Sequence, residues 1–463
     1  MARSIPLASR VLYSTAFLTL LLCEPILTGA QADLASRVDA IMAPFTSDGP
    51  GASVVVVKDG RVLVRRAYGL ANLETRTPMR PEMVFELGSV TKQFTSTAIL
   101  MLAQQDKLAL DVDIRKYVPD FPDKGAHITV EHLLTHTSGI KDYTDDPKWP
   151  ALWRQDLTPA QVVDLVKDAP LEFAPGTKWR YSNTGYTLLG MILEKASGVP
   201  YAEFIRTNIF EPLGMTHSLY GSFSAIIPDR AAGYTKGEKG AWENAPYLSM
   251  SQPYAAGSLM SNVDDLVKWD AAVSAGKLLS AASWAKAFTG YRLATGEDTR
   301  YGFGWQLGTY DGHDIVRHGG GIPGYLTHVL RMPADHVYVV VLTNSDAPPR
   351  GPEDRAVRIA AEVIGAPVHD PSAIAVPVEV LDTYVGRYQI APDDVRTITR
   401  EGTRLSSQRN GGEKSELISI GAGEFSFSES FQRLSFEQDS SGRVVRVVSR
   451  TLGGMPEVGE RIR

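Results

Sequence analysis

Residues 85–102 read FELGSVTKQFTSTAILML, and this segment predicts the centre of the fold. Ser89 and Lys92 are followed by a mostly apolar run that ends at Leu102. A helix that is hydrophobic on most of its circumference is a buried helix. Because positions i and i+3 share a helix face, Lys92 would hold its amine near the Ser89 hydroxyl. Burial lowers the pKa of a lysine, so the pair indicates a nucleophile and its base.

The Ser-x-x-Lys pattern is not specific by itself, because it occurs four times in this chain. The pairs that start at Ser138 and Ser274 adjoin or enclose glycine and are typical of loops or helix ends. Ser283 lies in a segment typical of a surface helix with a solvated lysine. Only Ser89 combines a preceding glycine, Gly88, with a buried helix behind it.

Length and composition indicate a globular chain of two or three domains: 463 residues, 43% hydrophobic and 22% charged. The net charge of −6 argues against nucleic-acid binding, which is typical of chains with a basic surface. Residues 1–32 combine a basic start, a short apolar run and small residues before position 33, which predicts a secretory signal. A membrane anchor is the alternative, but the apolar run is short for a bilayer. We therefore expect an exported, periplasmic or secreted protein without a stable membrane span.

The only cysteine, Cys23, lies in the predicted signal, so no disulfide or thiol chemistry is expected in the mature chain. A lipoprotein interpretation through Cys23 is weakened by Leu22, where lipidation sequences usually carry a small residue.

The pattern of elements predicts an α+β fold. A helical segment at 34–45 precedes a hairpin of two strands, 52–57 and 61–68, around Asp59-Gly60. Mostly helical sequence follows to about residue 286, with helices at 132–140, 158–170, 183–198 and 261–276. Strands return at 301–308, 314–320, 325–332 and 337–344, before a last helix at 352–365. This order implies an antiparallel sheet closed by sequence-distant strands and flanked by helices, plus a helical lobe and a cleft between them.

The C-terminal part of the chain has a different character. Residues 366–377 carry three prolines and read as a linker. Residues 378–463 contain short alternating segments separated by glycine turns, which predict a small antiparallel β-barrel. We therefore expect a catalytic domain at 33–365 and a barrel domain at 378–463.

Two further motifs support the interpretation of Ser89 as a nucleophile. Tyr181-Ser182-Asn183 is the only Tyr-x-Asn in the chain, and His318-Gly319-Gly320 is the only His-x-Gly. In this order the three motifs resemble those of the serine β-lactamase and penicillin-binding-protein superfamily. With tyrosine in the second motif, the chain resembles one branch of this superfamily, the peptidase S12-like proteins. This branch contains class C β-lactamases, D-alanyl-D-alanine carboxypeptidases, D-aminopeptidases and related esterases. Segments such as LLTHTSGI and AAGSLMSNVDDLVKW extend the resemblance over residues 33–365, and the C-terminal barrel resembles the lipocalin-like appendages of some peptidases in this branch.

The resemblance implies a role for each residue of the first two motifs. Ser89 would attack a carbonyl and become acylated, while Lys92 and Tyr181 share the proton transfers. Tyr181 would be acidified by a cationic Lys92 nearby. Asn183 would hydrogen-bond the substrate amide or Lys92.

The third motif would bind the substrate. The backbone amides of Ser89 and Gly321 would form the oxyanion hole on a strand that includes Gly319 and Gly320. His318 would contact the carboxylate or acyl side of the substrate. The resemblance implies neither a cofactor nor a metal.

Other interpretations of these residues are weaker. Separately, Tyr181 could be a core aromatic and Asn183 a helix N-cap. His132 and His136 have the spacing of two zinc ligands, but Leu133 stands where such helices carry glutamate, so we expect these histidines to shape the helix and its following loop instead. There is no Gly-x-Ser-x-Gly elbow, and the glycines after His318 lack the lysine of a phosphate-binding loop.

The identity of residue 318 separates the possible activities. Dedicated β-lactamases of this branch carry lysine there, whereas histidine is mostly neutral at pH 7. The sequence therefore favours an exported serine hydrolase that acts on D-amino-acid-containing peptides or peptidoglycan fragments, of carboxypeptidase or D-aminopeptidase type. Carboxylesterase or weak class C-like β-lactamase activity is the alternative. A catalytically inactive binding protein of the same fold is the contrary hypothesis.

Overall fold

The computed structural model describes Met1 and residues 29–348, 350–391, 394–412 and 414–462. Most of the predicted signal at residues 1–32 therefore lies outside the described residues. Within the described ranges, no helix is both long and apolar enough to cross a membrane.

Helices occupy much of the first two thirds of the chain. The α-helices are α1 (Gly29–Met42), α2 (Thr91–Gln104), α3 (Val130–Leu134), α4 (Trp149–Leu152), α5 (Pro159–Asp164), α6 (Asn183–Ser197), α7 (Tyr201–Ile205), α8 (Glu211–Leu213), α9 (Tyr254–Gly257), α10 (Val263–Ser274), α11 (Ala281–Ala287), α12 (Pro352–Ile364) and α13 (Val378–Tyr384). Shorter helical turns of other types lie at Gly88–Val90, Ile114–Lys116, Tyr143–Asp145 and Arg206–Phe210.

Strands lie at both ends of the helical region and throughout the C-terminal part. They are β1 (Ala52–Lys58), β2 (Arg61–Tyr68), β3 (Leu70–Asn72), β4 (Thr77–Pro78), β5 (Phe85–Glu86), β6 (Leu219–Tyr220), β7 (Tyr234–Lys236), β8 (Trp242–Asn244), β9 (Leu259–Ser261), β10 (Gln306–Tyr310), β11 (His313–Ile322), β12 (Tyr325–Met332), β13 (Val337–Thr343), β14 (Gly386–Ala391), β15 (Asp394–Glu401), β16 (Arg404–Arg409), β17 (Lys414–Gly421), β18 (Glu424–Phe427), β19 (Arg433–Gln438), β20 (Val444–Arg450) and β21 (Glu457–Ile462).

The main sheet has the strand order β10-β11-β12-β13-β1-β2 and is antiparallel throughout. The early strand β1 pairs with the late strand β13 from Ala52 opposite Thr343 to Lys58 opposite Val337. The predicted sheet closed by sequence-distant strands is therefore confirmed. The Asp59-Gly60 turn has φ of 51° and 72°, as a tight hairpin between β-branched strands requires.

Each strand of this sheet sends alternate side chains to two different cores, because successive residues of a strand point to opposite faces. Val55 and Val57 join the larger core, which contains the apolar residues of α2. Val54 and Val56 join a second core with residues of α1 and α12. The sheet thus has α2 packed against one face and both α1 and α12 packed against the other.

Three predicted elements are clearly shorter in the structure, and the first is the helix expected at 158–170, which ends at Asp164. The helix expected at 132–140 ends at Leu134, and the buried His136 has a φ of 59°, which an α-helix does not allow. The strand expected at 301–308 begins only at Gln306, because a turn through Gly304, with φ of 78°, brings Tyr301 opposite Gln306. Both turns lie beside the candidate site.

The C-terminal part forms a closed antiparallel barrel of β14 to β21, as predicted. Its interior is filled by a core that includes Tyr388 and Phe436, and α13 adds Leu381 and Tyr384 to it. The barrel also covers edge strand β10, since the carbonyl of Leu452 lies too close to Gly308 for any side chain there. The domain division at residues 366–377 stays a prediction.

Candidate active site

Ser89 is the one residue between Met83 and Leu100 that is not buried. It lies in the helical turn Gly88–Val90, which leads directly into α2. Eleven of the fourteen residues of α2 are buried, in agreement with the predicted buried helix. Ser89 is therefore a partly exposed hydroxyl at the start of an otherwise buried segment.

Lys92 is fully buried, and its Nζ lies 3.1 Å from Ser89 Oγ. The amine also lies 2.8 Å from Asn183 Oδ1 and 2.9 Å from the carbonyl oxygen of Ala256. Both of these oxygens only accept hydrogen bonds. A neutral amine has two N–H groups and one lone pair, so donation to both oxygens leaves the lone pair for the Ser89 hydroxyl.

Burial lowers the pKa of Lys92 from its usual 10.5 to about 7, while the charge of Asp142 opposes this change. A substantial fraction of Lys92 is therefore neutral at pH 7. This is the protonation state in which a lysine can act as a base.

Tyr181 faces the same hydroxyl, with its phenol within hydrogen-bonding range of Ser89. Lys92 Nζ lies 4.7 Å from the centre of the Tyr181 ring. Burial raises the pKa of Tyr181, which is the opposite of the acidification expected from the sequence. The expectation was wrong because it assumed a cationic Lys92, whereas both groups share a site that disfavours charge.

Asn183 is the first residue of α6, and the residue before it, Ser182, is the N-cap. The Asn183 side chain is therefore not needed for capping and bridges two polar groups instead. Its Oδ1 accepts from Lys92 at 2.8 Å, and its Nδ2 donates to Asp142 Oδ2 at 2.9 Å. Asp142 was not identified from the sequence, because it lies after the quoted LLTHTSGI segment in the loop that leads to a helical turn.

The glycines of β11 lie directly beside the Ser89 turn. Gly88 has a φ of 53°, and a Cβ there would stand 2.8 Å from the backbone nitrogen of Gly321. A Cβ on Gly320 would stand 1.9 Å from the carbonyl oxygen of Leu87. These approaches require glycine and place the backbone of the nucleophile turn beside that of Gly321, which is exposed.

Strand β11 is free on one side at this point. Its pairing with β10 ends at Arg317 opposite Gln306, whereas its pairing with β12 continues to Ile322 opposite Tyr325. Residues 318–322 therefore present a backbone edge that β10 does not cover. An exposed backbone N–H beside a nucleophilic serine can stabilise an oxyanion.

His318 is 2% exposed, and both of its ring nitrogens are occupied. Nδ1 donates to the carbonyl oxygen of Gly319 at 2.6 Å, so Nε2 accepts from the Tyr301 hydroxyl at 2.9 Å. Burial lowers the pKa of His318 to about 3. The imidazole is therefore neutral, and both of its nitrogens already have hydrogen-bond partners. It does not support the contact with a substrate carboxylate that the resemblance implied.

A second histidine packs against the site. His136 stacks on the Tyr181 ring, with the ring centres 4.3 Å apart, and its Nδ1 accepts from the Ser182 backbone N–H at 3.1 Å. From the sequence, His136 was expected to shape the helix and its following loop, with metal binding as the weaker alternative. The structure instead places it as a support for the Tyr181 segment.

Comparison with known proteins finds similarity over most of the chain. The family profile described as Beta-lactamase matches residues 34–363. Penicillin-binding protein 4* of Bacillus subtilis is 31% identical over 394 residues, which cover 79% of this chain and 85% of that protein. A D-aminopeptidase of Gluconobacter oxydans is 29% identical over 370 residues, which cover 77% of this chain and 66% of that enzyme.

The comparison with solved structures extends to the barrel. The octameric penicillin-binding protein homologue from Pyrococcus abyssi superposes with a TM-score of 0.67 at 27% identity. The superposition covers 93% of this chain and 99% of the other. The similarity therefore spans nearly the whole chain as well as its motifs.

Proposed function

The chain belongs to the beta-lactamase family and is a serine hydrolase, and from this premise we propose that it works through an acyl-enzyme on Ser89. The observation that carries the proposal is the set of contacts of Lys92 Nζ, which lies 3.1 Å from Ser89 Oγ and has two oxygens that only accept as its other partners. A neutral amine that donates to those two oxygens can take the Ser89 proton. We further propose that the protein is exported and acts on D-amino-acid-containing amides and peptides.

The contacts of Lys92 and Tyr181 support the following acylation steps. Neutral Lys92 takes the Ser89 proton while Oγ attacks the substrate carbonyl carbon and the carbonyl electron pair moves to oxygen. The backbone N–H groups of Ser89 and Gly321 stabilise this oxyanion. When the carbon–nitrogen bond breaks, Tyr181 protonates the leaving nitrogen and regains a proton from the Lys92 ammonium.

Deacylation reverses the sequence with water. A water attacks the acyl carbon while its proton passes to the neutral amine of Lys92, either directly or through the Tyr181 phenol, which accepts this proton as it gives its own to the amine. The ester bond to Ser89 breaks, and the proton returns to Oγ. The same groups thus serve both half-reactions.

The charge of the site favours one class of substrate. A β-lactam and a D-alanyl-D-alanine terminus each carry a carboxylate, which a cation at position 318 would hold. Here His318 is neutral and buried, and a substantial fraction of Lys92 is neutral near pH 7. The site therefore favours substrates without that carboxylate, such as D-aminoacyl amides and peptides hydrolysed in the manner of a D-aminopeptidase.

Esters are the second candidate, because neutral His318 does not require a charged group on the substrate and an alcohol leaves more readily than an amine. The same carbonyl carbon would be attacked by Ser89 and the same oxyanion formed. Relative rates on matched amides and esters of one D-amino acid distinguish the two substrates.

One experiment tests the chemistry. The folded protein is treated with a fluorophosphonate, and peptide mass spectrometry locates the adduct. We expect the adduct on Ser89 and none after Ser89→Ala. A folded wild-type protein that forms no adduct would support the inactive binding protein instead.

A substrate panel tests the specificity. It compares D-aminoacyl amides, short-chain esters, nitrocefin, a D-alanyl-D-alanine peptide and the same peptide with an amidated C-terminus. We expect the amidated peptide to be hydrolysed at least as well as the free acid. A strong preference for the free acid or for nitrocefin contradicts the assignment of a carboxylate-independent site.

Export has its own test. Expression with residues 1–32 intact, followed by fractionation and N-terminal sequencing, should recover a mature chain that begins at Asp33. A protein retained inside the cell with residues 1–32 in place would exclude the secretory signal.

A further inference from the structure

Asp142 is a buried carboxylate that the proposed chemistry does not use. It is 5% exposed. Oδ2 accepts from both the backbone N–H and the Nδ2 of Asn183 at 2.9 Å, and Oδ1 accepts from the Thr144 N–H at 3.2 Å. All three donors are neutral amide groups, and no cation is in contact with the carboxyl. Burial raises the pKa of Asp142, whereas the backbone N–H groups of Asn183 and Thr144 and the nearby Lys92 favour its charged form.

Helix capping accounts for only part of this arrangement. Asp142 is the N-cap of the helical turn Tyr143–Asp145, which explains the bond to Thr144. It does not explain why the second oxygen receives two N–H groups from Asn183, which lies 41 positions away. That contact joins the loop after α3 to the catalytic end of α6.

This contact controls the orientation of the Asn183 amide, that is, which of its two ends faces Lys92. An amide has one accepting end and one donating end, and either could face Lys92. If Nδ2 faced Lys92, it would donate to the lone pair that Ser89 needs, and Oδ1 would face a carboxylate that can only accept. The carboxylate therefore permits only the orientation in which Oδ1 faces Lys92.

We propose that Asp142 is a positioning residue that fixes the Asn183 amide with its oxygen toward Lys92, so that the amine lone pair stays directed at Ser89. The inference rests on the proposed acyl-enzyme function. It assigns Asp142 a second effect as well, because a negative charge one amide away stabilises the lysine ammonium.

The surroundings of Lys92 make that second effect measurable. The amine faces the rings of Tyr181 and Tyr186 and lies within electrostatic range of His136 and His318. Burial lowers the pKa of both histidines, so neither is charged near pH 7. The charge of Asp142 opposes burial and raises the pKa of Lys92. Loss of this charge therefore lowers the pKa of Lys92.

The first test is Asp142→Asn, with the rate of fluorophosphonate acylation measured across pH. General-base catalysis is worth roughly 10²–10⁴-fold, so misdirecting the base should cost ~10–100-fold in acylation rate. The acidic limb of the profile, where Lys92 becomes protonated, should also move to lower pH. A loss of packing alone would lower the melting temperature without moving this limb.

Asp146→Asn is the matched control. Asp146 accepts a turn N–H, that of Lys148, at 2.8 Å, but the hydrogen bonds of its side chain do not involve Asn183. We expect its acylation rate and acidic limb to match those of the wild type. If Asp142→Asn behaves like this control, the positioning role is excluded.

A double variant keeps the test informative if the single variant is unstable. In Asp142→Asn with Asn183→Asp, the carboxylate moves to position 183, where it can only accept from Lys92, and the amide at position 142 can donate to it. We expect the double variant to acylate faster than Asp142→Asn at alkaline pH, with an acidic limb above that of the wild type.

A double variant no faster than the single one would overturn the inference. Failure of the wild type to label at Ser89 would instead overturn the proposed function, so the two failures are distinguishable.

Discussion

Gly88 and Gly321 approach so closely that a Cβ on Gly88 would stand 2.8 Å from the Gly321 backbone nitrogen. The two residues are far apart in the sequence, and they bring the two proposed oxyanion donors together. A left-handed φ of 53° at Gly88 adds a second requirement for glycine.

Gly88→Ala should therefore disrupt the oxyanion hole. The new methyl group must push β11 away from the Ser89 turn, and loss of one oxyanion donor typically costs ~100-fold or more in rate. Gly60→Ala is the matched control, because Gly60 also has a positive φ of 72° but nothing lies within 4 Å of its Cβ position. Acylation rates and melting temperatures of both variants check the prediction. Equal acylation by the two variants would contradict it.

Lys92→Met should abolish acylation and change how stability depends on pH. Between about pH 7 and 10.5 the unfolded chain holds a proton on Lys92 that the folded chain has released, so raising the pH stabilises the wild-type fold. Relative to the variant, the wild-type free energy of unfolding should rise by up to ~1.4 kcal/mol per pH unit in this window and stay level below it. Chemical denaturation at a series of pH values measures this difference.

Lys286→Met provides the control for that measurement. Lys286 belongs to another Ser-x-x-Lys pair, but its side chain is 46% exposed and ion-paired with Glu131. We expect this variant to acylate at the wild-type rate, because the Lys286 amine is paired with Glu131. A level difference for Lys92→Met would mean that Lys92 is charged in the folded state.

Tyr181→Phe should preserve the fold and slow the chemistry. The phenyl ring keeps the stacking on His136, while the hydroxyl that faces Ser89 is lost. We expect a decrease of ~100-fold or more in kcat with amide substrates, since a proton-transfer group is removed. Esters should be affected less, because their leaving group needs less protonation. Equal losses on amides and esters would argue against proton delivery by Tyr181.

Tyr186→Phe tests whether any tyrosine near Lys92 gives this result. The Tyr186 hydroxyl donates to the Leu134 carbonyl at 2.9 Å, away from Ser89. Its loss should cost about 1 kcal/mol of stability and leave the amide-to-ester ratio unchanged.

Phe431→Ala should weaken the attachment of the barrel to the main sheet. The Phe431 ring packs on Tyr310 of edge strand β10 and lies 5.7 Å from the Arg358 guanidinium. Val458→Ala is the control, because Val458 is 40% exposed on the same barrel. Calorimetry should show a lower melting temperature or a separated barrel transition for Phe431→Ala only. Identical unfolding of the two variants would contradict a role for this contact.

Much of the fold was predictable because it depends on local patterns. The Asp59-Gly60 turn between β-branched runs predicted the hairpin, and Gly198 marked the end of α6. The helix behind Ser89 was predicted from its continuous apolar character. The helix before His136 was predicted too long, because a left-handed residue in a buried turn has no clear local signal.

The site was predictable in its residue types but not in its electrostatics. Ser89, Lys92, Tyr181 and Asn183 were recognised from their motifs, and the structure brings all four together. The predicted lowering of the Tyr181 pKa was wrong, because it assumed a cationic Lys92, whereas burial raises this pKa.

The sequence by itself determined the buried helix after Ser89, the antiparallel architecture and the order of the three motifs, since these follow from hydrophobic pattern and residue identity. Only the tertiary structure decided which groups are charged and where each lone pair points. Burial set the pKa of Lys92 and His318, and a carboxylate from a distant loop set the orientation of Asn183. Desolvation and hydrogen-bond direction depend on every neighbouring segment, which no local stretch of sequence contains.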